Sequence, residues 1–404
     1  MFQSIEGGAA AAKGFTCSGI HCGIRKNKSK KDLALIVSEK PCAAAAVYTQ
    51  NLVKGAPITV TRAHLEDGRA QAVIVNSGYA NTCNANGIEI AEGMCALVEA
   101  HTGIKAADVV VASTGIIGQP LSLEPIAKGM PALIAGLTSD GRDAAEAIMT
   151  TDTVKKEAAV SFVIDGKECR VGGMAKGSGM INPNMATLLC FITTDVNIPA
   201  ALLREAVGEA VQDSFNMLSI DGDTSTNDML SVLANGMSGI APLKKGGAGY
   251  AAFLAALKDV CRSLCRMMAG DGEGASKLIE CVVTGAATVA DARKAAKSVV
   301  MSTLFKCAMF GADANWGRAL CAIGYSGADV DITNVDIAFA SKNGHIAVCG
   351  GGASLAFDET AAKNILSADE IEVRITFYEG ESAARAWGCD MTYDYVKING
   401  DYRS

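Results

Sequence analysis

Residues 176 to 195, KGSGMINPNMATLLCFITTD, set a threonine at the junction of two unlike segments. Ahead of Thr187 stand Gly177, Gly179, Asn182, Pro183 and Asn184, which are residues of tight turns. After it comes an apolar and β-branched run that reads as a buried strand. A threonine hydroxyl is a weak nucleophile until a base takes its proton. Histidine, the commonest such base, is scarce and stands in no motif. His101 closes a helical pattern, His345 sits in a hairpin, His64 lies in a polar segment, and His21 is the fourth. A Ser-His-Asp site, a Cys-His site and a G-x-S-x-G elbow are all unsupported. The α-amino group of an N-terminal threonine is another base, because it titrates near pH ~8 and belongs to the same residue. Freeing it requires the peptide bond before Thr187 to break. Attack of the Thr187 hydroxyl on the Ala186 carbonyl in a strained loop would give an ester that water cleaves. The small Ala186 and the glycine-rich approach suit that chemistry. On residue types alone two readings stand: a self-cleaving nucleophile, or an ordinary threonine at a strand edge.

Other motifs are weaker. KGSGM lacks the G-x-x-x-x-G-K-[ST] frame of a phosphate loop, and the G-x-G of AGDGEGASK, residues 269 to 277, precedes a strand instead of opening a helix. The 14 cysteines are scattered without a CxxC pair; Cys261 and Cys265 share a helical face, but no histidine accompanies them. Buried thiols and no structural metal are expected. A net charge of −7 offers no basic footprint for nucleic acid. The absence of a basic leader and of any apolar run of membrane-spanning length predicts a cytoplasmic chain with no membrane partner.

These residues need a framework. A chain of 404 residues, half of them hydrophobic, can bury a large core and is long enough for two packed units. Short β-rich runs (DLALIVSE, QAVIVNSG, ADVVVASTG, TLLCFITTD, IECVVTGA, VDIAFAS, IEVRITF) alternate with helical patterns over Ile88–His101, Leu123–Leu137, Ala200–Ser214, Tyr250–Met268 and Ala292–Met309. The alternation predicts an α/β architecture. The hairpin signals VIDGKECRV and SKNGHIAV make its sheets mixed, with helices flanking them.

In their order along the chain, ASTGIIG, TTDT, KGSGM…PNMAT, DGDTSTND, GEGASK, NWGR and YVKINGDYRS closely resemble the glutamate N-acetyltransferase/ornithine acetyltransferase family of arginine biosynthesis. The resemblance implies a layered α/β sandwich of the kind shared with autoprocessed aminopeptidases. It implies a precursor cut between Ala186 and Thr187, giving an alpha chain of residues 1–186 and a beta chain of 187–404, assembled as two alpha and two beta chains. Carried over residue by residue, Thr187 matches the nucleophile, and Thr114 and Gly115 match the oxyanion hole. Lys176 matches a substrate-binding lysine suited to a carboxylate, and Glu273 an acid suited to an ammonium group. A threonine of TTDT, taken as Thr153, and Asn399 and Ser404 match further substrate contacts. The implied substrates are N-acetylornithine and glutamate, with no cofactor. No adenine or pantetheine signature is legible, so acetyl-CoA as a second donor stays open.

The chain departs from the family pattern at Ser404, Tyr79, Ala314 and Asn182, where Thr, Asn, Pro and a small residue are commoner; none of these removes a catalytic group. Two rival readings remain: an autoprocessed aminopeptidase or amidase passing the acyl group to water, and a nucleotide- or ligand-binding protein using the DGEGASK loop.

Overall fold

The computed structural model of the chain describes residues 2–182 and 188–401. It divides into two compact units, one of Met1–Gly177, Asn184–Gln212 and Thr224–Leu264, the other of Ser178–Pro183, Asp213–Asp223 and Cys265–Ser404.

The first unit is built on a nine-stranded sheet in the order Gln3–Ser4, Lys156–Ile164, Lys167–Lys176, Leu189–Thr194, Met229–Ala234, Leu33–Tyr48, Arg69–Tyr79, Val109–Ile116, with Phe15–Ile20 also paired to Leu33–Tyr48. Two pairings are parallel, Leu189–Thr194 with Met229–Ala234 and Arg69–Tyr79 with Val109–Ile116. The continuous apolar runs of its central strands follow from burial on both faces. Leu33, Leu35, Ala72, Ile74, Val109 and Val111 join one core, and the alternate residues Ala34, Ile36, Val73, Val75, Val110 and Ala112 join another. The first core also takes Ile90, Met94 and Val98 from helix Gly87–Thr102 and Ile126, Met130 and Leu133 from helix Leu123–Ala135.

The second unit holds a seven-stranded sheet in the order Ala353–Ser354, Gly344–Gly350, Val335–Ser341, Glu370–Phe377, Leu278–Ala286, Ser382–Cys389, Leu218–Ser219. Ile371, Val373, Ile375 and Phe377 are buried while Glu370 and Arg374 between them are exposed, the alternation of a sheet with one wet face. Helix Val289–Met301 packs on Leu278–Ala286 and Ser382–Cys389.

The expected α/β layering with mixed sheets is what the chain forms, and four of the five expected helices lie within two residues of their predicted ends. The fifth, Ala292–Met309, is two helices, Val289–Met301 and Thr303–Phe310, because the Ser302 hydroxyl caps the second by accepting from Phe305 N at 3.3 Å. The strand expected over DLALIVSE runs on through PCAAAAVY to Tyr48, since Ala43–Tyr48 pair along Met229–Ala234. Cross-strand pairing there overrides alanine's preference for helix. His64, in the polar segment, ends helix Ala56–His64, with its Nδ1 2.8 Å from Val109 O.

Candidate functional site

Strand pairing fixes both ends of the glycine-rich loop. Lys167–Lys176 runs antiparallel to Leu189–Thr194 with Lys176 opposite Leu189, and Leu189 lies beside Met229 on the parallel neighbour. Leu188 O accepts from Met229 N at 2.7 Å. Ala186 and Thr187, the expected cleavage pair, and the C-terminal Ser404 lie outside the described residues.

In the first unit, Thr114 and Gly115 lie near the end of strand Val109–Ile116, which parallels Arg69–Tyr79, in register with Ser77 and Gly78. Thr114 is buried, and Gly115 has φ 126°, a left-handed conformation that favours glycine. A Cβ on Gly115 would lie 2.3 Å from Gly78 C and O, so the two backbones meet where no side chain fits. Thr114 and Gly115 place a hydroxyl and a backbone N–H on consecutive residues, the kind of donor pair that suits a developing oxyanion.

Lys176 is also buried, and charge is the main feature around it. Asp152 and Lys156 form an ion pair at 2.6 Å with both side chains fully buried. Asp152 further accepts from Gly177 N at 2.7 Å and from Thr150 N at 3.0 Å. Burial pushes this carboxyl up, and the Lys176 and Lys156 ammonium groups more than offset it, holding it at about 2. Asp152 thereby ties the TTDT segment, including the exposed Thr153, to the backbone just after Lys176. Asp228 is the opposite case. It is buried, its Oδ2 has no hydrogen-bond partner among the described residues, and burial lifts its carboxyl far above the usual range although Ser225, Lys176 and Thr49 pull the other way.

In the second unit, Glu273 lies in the loop between helix Ala248–Gly270 and strand Leu278–Ala286. Asn399 Nδ2 donates to Glu273 Oε2 at 2.7 Å, so two residues the resemblance singled out, 126 positions apart, are in contact. Glu273 N donates to Ser178 O at 2.7 Å, and a Cβ on Gly179 would fall 2.4 Å from the Glu273 carboxylate. Glycine at 179 is therefore what admits the acid against the loop backbone. Gly274 has φ 67° and brings the loop against Tyr395 N at the start of helix Tyr393–Gly400, while Thr392 Oγ1 donates to Gly274 O at 2.6 Å. Asp221 holds the other side of the same loop. Its carboxylate accepts from Met180 N at 2.5 Å and Ile181 N at 2.8 Å, and the Tyr395 hydroxyl donates to it at 3.3 Å. Met180 itself sits at φ 54°, a strained setting for a side-chain-bearing residue.

Asp152, Asp221, Asn227 and Asp228 were not among the expected site residues, although all four stand in TTDT or DGDTSTND. Their roles depend on which backbone amides and carbonyls come to them in space, and spacing along the chain carries no sign of that.

The family model described as the ArgJ family matches residues 16–404. The chain belongs to the ArgJ family. The arginine biosynthesis bifunctional protein ArgJ of Symbiobacterium thermophilum is 51% identical over 403 residues, covering 99% of each chain. That of Caldanaerobacter subterraneus subsp. tengcongensis is 48% identical over 404 residues, covering 100% of each. A crystal structure of the arginine biosynthesis bifunctional protein from Bacillus halodurans matches at 43% identity and a TM-score of 0.50, covering 52% of this chain and 97% of that one.

Asp152→Asn should leave Lys156 charged, buried and without its counter-ion, at a cost of about 3–5 kcal/mol. Because the folded carboxyl at about 2 lies below its unfolded value of ~3.9, the pair's contribution is present above about pH 4 and fades as pH falls towards 2. Urea unfolding at pH 7 and pH 3 checks both points: the variant's deficit should be large at pH 7 and smaller at pH 3. Equal stability of variant and parent at pH 7 would contradict the assignment.

Proposed function

We propose that this chain is an acetyltransferase of arginine biosynthesis that carries the acetyl group of N-acetylornithine to glutamate on Thr187, after cutting itself between Ala186 and Thr187. The observation that carries this reading is the family match over residues 16–404, with full-length relatives that bear the bifunctional name. The cut is supported by proportion. The crystallised Bacillus halodurans chain is almost wholly matched yet covers only about half of this one, as a separate alpha or beta chain would.

In the proposed route the α-amino group of Thr187 takes the proton of the Thr187 hydroxyl as the oxygen attacks the acetyl carbonyl. Thr114 and Gly115 donate to the resulting oxyanion. Collapse breaks the amide bond, the ornithine nitrogen receives the proton, and an acetyl ester remains on Thr187. The amine of glutamate then attacks the ester through a second oxyanion, and acetylglutamate leaves as the threonine oxygen regains its proton. Lys176 serves the carboxylate that both substrates carry, with Thr153, Asn399 and Ser404 as further polar contacts. Glu273, already oriented by Asn399, serves the cationic end of ornithine. The route draws on no metal or cofactor, and acetyl-CoA enters as a substrate if it charges Thr187 in place of N-acetylornithine. Alpha chain 1–186 and beta chain 187–404 work together in an assembly of two of each, in the cytoplasm where their amino-acid substrates are found.

Intact-mass measurement of freshly purified protein should give two fragments, the larger beginning at Thr187, and Thr187→Ala should remain one inactive chain of 41.5 kDa. A fully active, uncut wild type would overturn the self-cleaving assignment. With N-acetylornithine and glutamate supplied together, acetylglutamate should accumulate; free acetate alone would instead mark an amidase. Glu273→Gln keeps the size and the contact with Asn399 while removing the charge. In single-turnover experiments it should slow charging by N-acetylornithine more than discharge to glutamate, and equal effects on both halves would remove Glu273 from recognition of the cationic end.

A further inference from the structure

An asparagine outside the expected site joins the segments on which the proposed chemistry depends. Asn227 is buried, and every polar position of its amide is engaged. Its Nδ2 donates to Ser113 O at 2.9 Å and to Ala80 O at 2.6 Å. Its Oδ1 accepts from the hydroxyls of Thr82 and Thr226, both at 2.6 Å. Two carbonyls on one side and two hydroxyls on the other fix the orientation of the amide without ambiguity. Backbone approaches so closely that a Cβ on Gly55 would lie 2.6 Å from Asn227 Nδ2.

Each partner bears on the turn at Thr114 and Gly115. Ser113 O belongs to the Ser113–Thr114 peptide, so a donor there sets the plane from which Thr114 and then Gly115 depart. The 80–82 segment reaches the far side of the same turn, since Ala80 N donates to Ile116 O at 3.0 Å and Thr82 O accepts from Gly118 N at 3.0 Å. One amide thus steadies the turn before and after its two donors. It is also two residues from Met229, whose N–H donates to the carbonyl of Leu188, the residue that follows Thr187. From these contacts we propose that Asn227 is a positioning residue that sets the Thr114–Gly115 segment relative to strand Leu189–Thr194, which follows Thr187 in the chain, acting on the transition state without touching substrate. This rests on the proposed oxyanion role of Thr114 and Gly115.

A positioning role predicts coupling that a merely structural role does not. In protein checked by mass for complete conversion to fragments, Thr114→Ala should lower kcat about a hundredfold. Asn227→Ala should lower kcat by a similar factor with KM unchanged, since a displacement of order 1 Å suffices for such a loss. In the Thr114→Ala background the further loss from Asn227→Ala should be much smaller than in the parent, because one of the two donors it aims is already gone. A milder pair covers the case in which Asn227→Ala does not fold or convert. Thr82→Val removes one hydroxyl that holds the amide and should lower kcat about tenfold, roughly what 1.4 kcal/mol of transition-state stabilisation amounts to, and Thr82→Ser should restore it. Fully additive losses, a defect confined to KM, or equal activity of Thr82→Val and Thr82→Ser would overturn the positioning role. A Thr114→Ala protein with normal kcat would instead remove the oxyanion assignment, and the inference with it.

Discussion

The register that sets Lys176 opposite Leu189 and Leu189 beside Met229 is the constraint on which the rest of the site depends. It holds both ends of a loop rich in turn residues, and it does so with main-chain hydrogen bonds inside a sheet buried on both faces. A shift of one residue would turn each side chain to the opposite face and take Leu189 and Phe191 out of the core they help to build. Packing therefore forbids slippage. Fixed strands on either side are what let the described part of the segment between them hold Gly177 at φ 147° and Met180 at φ 54°.

Charge is distributed in the same spirit. The first unit buries the Asp152–Lys156 pair, Lys176 and the carboxyl of Asp228 in one neighbourhood, at a cost that hydrophobic packing alone would never incur. Asp152 is satisfied by an ammonium group and two backbone N–H groups, so its burial is compensated and it fixes the geometry around Lys176. Asp228 keeps one oxygen without a partner among the described residues, within reach of the Lys176 charge. In the second unit the Glu273 carboxylate is oriented by Asn399, and that of Asp221 by two backbone amides and Tyr395, and among the described residues no salt bridge reaches either. Acids held in this way keep capacity for a positively charged group from outside.

Much of this was legible in the sequence. Periodicity marked the buried strands Arg69–Tyr79 and Val109–Ile116 and all but one of the expected helices, because long apolar runs and amphipathic stripes have one main explanation. The capped break at Ser302 was missed because a serine inside an apolar helical pattern looks the same whether it caps or continues. The long strand through PCAAAAVY was missed because its partner, Met229–Ala234, is nearly two hundred residues away. At the site, motif order pointed to Thr114, Gly115, Lys176, Glu273 and Asn399, and the structure puts the last two in contact, which their spacing along the chain did not foretell. Asn227 and Asp221 escaped notice since their work is to bind main chain, which any sequence supplies. The expected cut at residues 186 and 187 is a different division from the two compact units, whose segments interleave along the chain.

The most direct test of the central claim is to look for the acyl group itself. Protein mixed with N-acetylornithine in the absence of glutamate, quenched in acid and digested, should yield the peptide beginning at Thr187 with one acetyl group on its hydroxyl. Addition of glutamate before the quench should remove that group and release an equal amount of acetylglutamate. Turnover at the normal rate with no acetyl group ever found on Thr187, or with the group on another residue, would contradict transfer through this threonine.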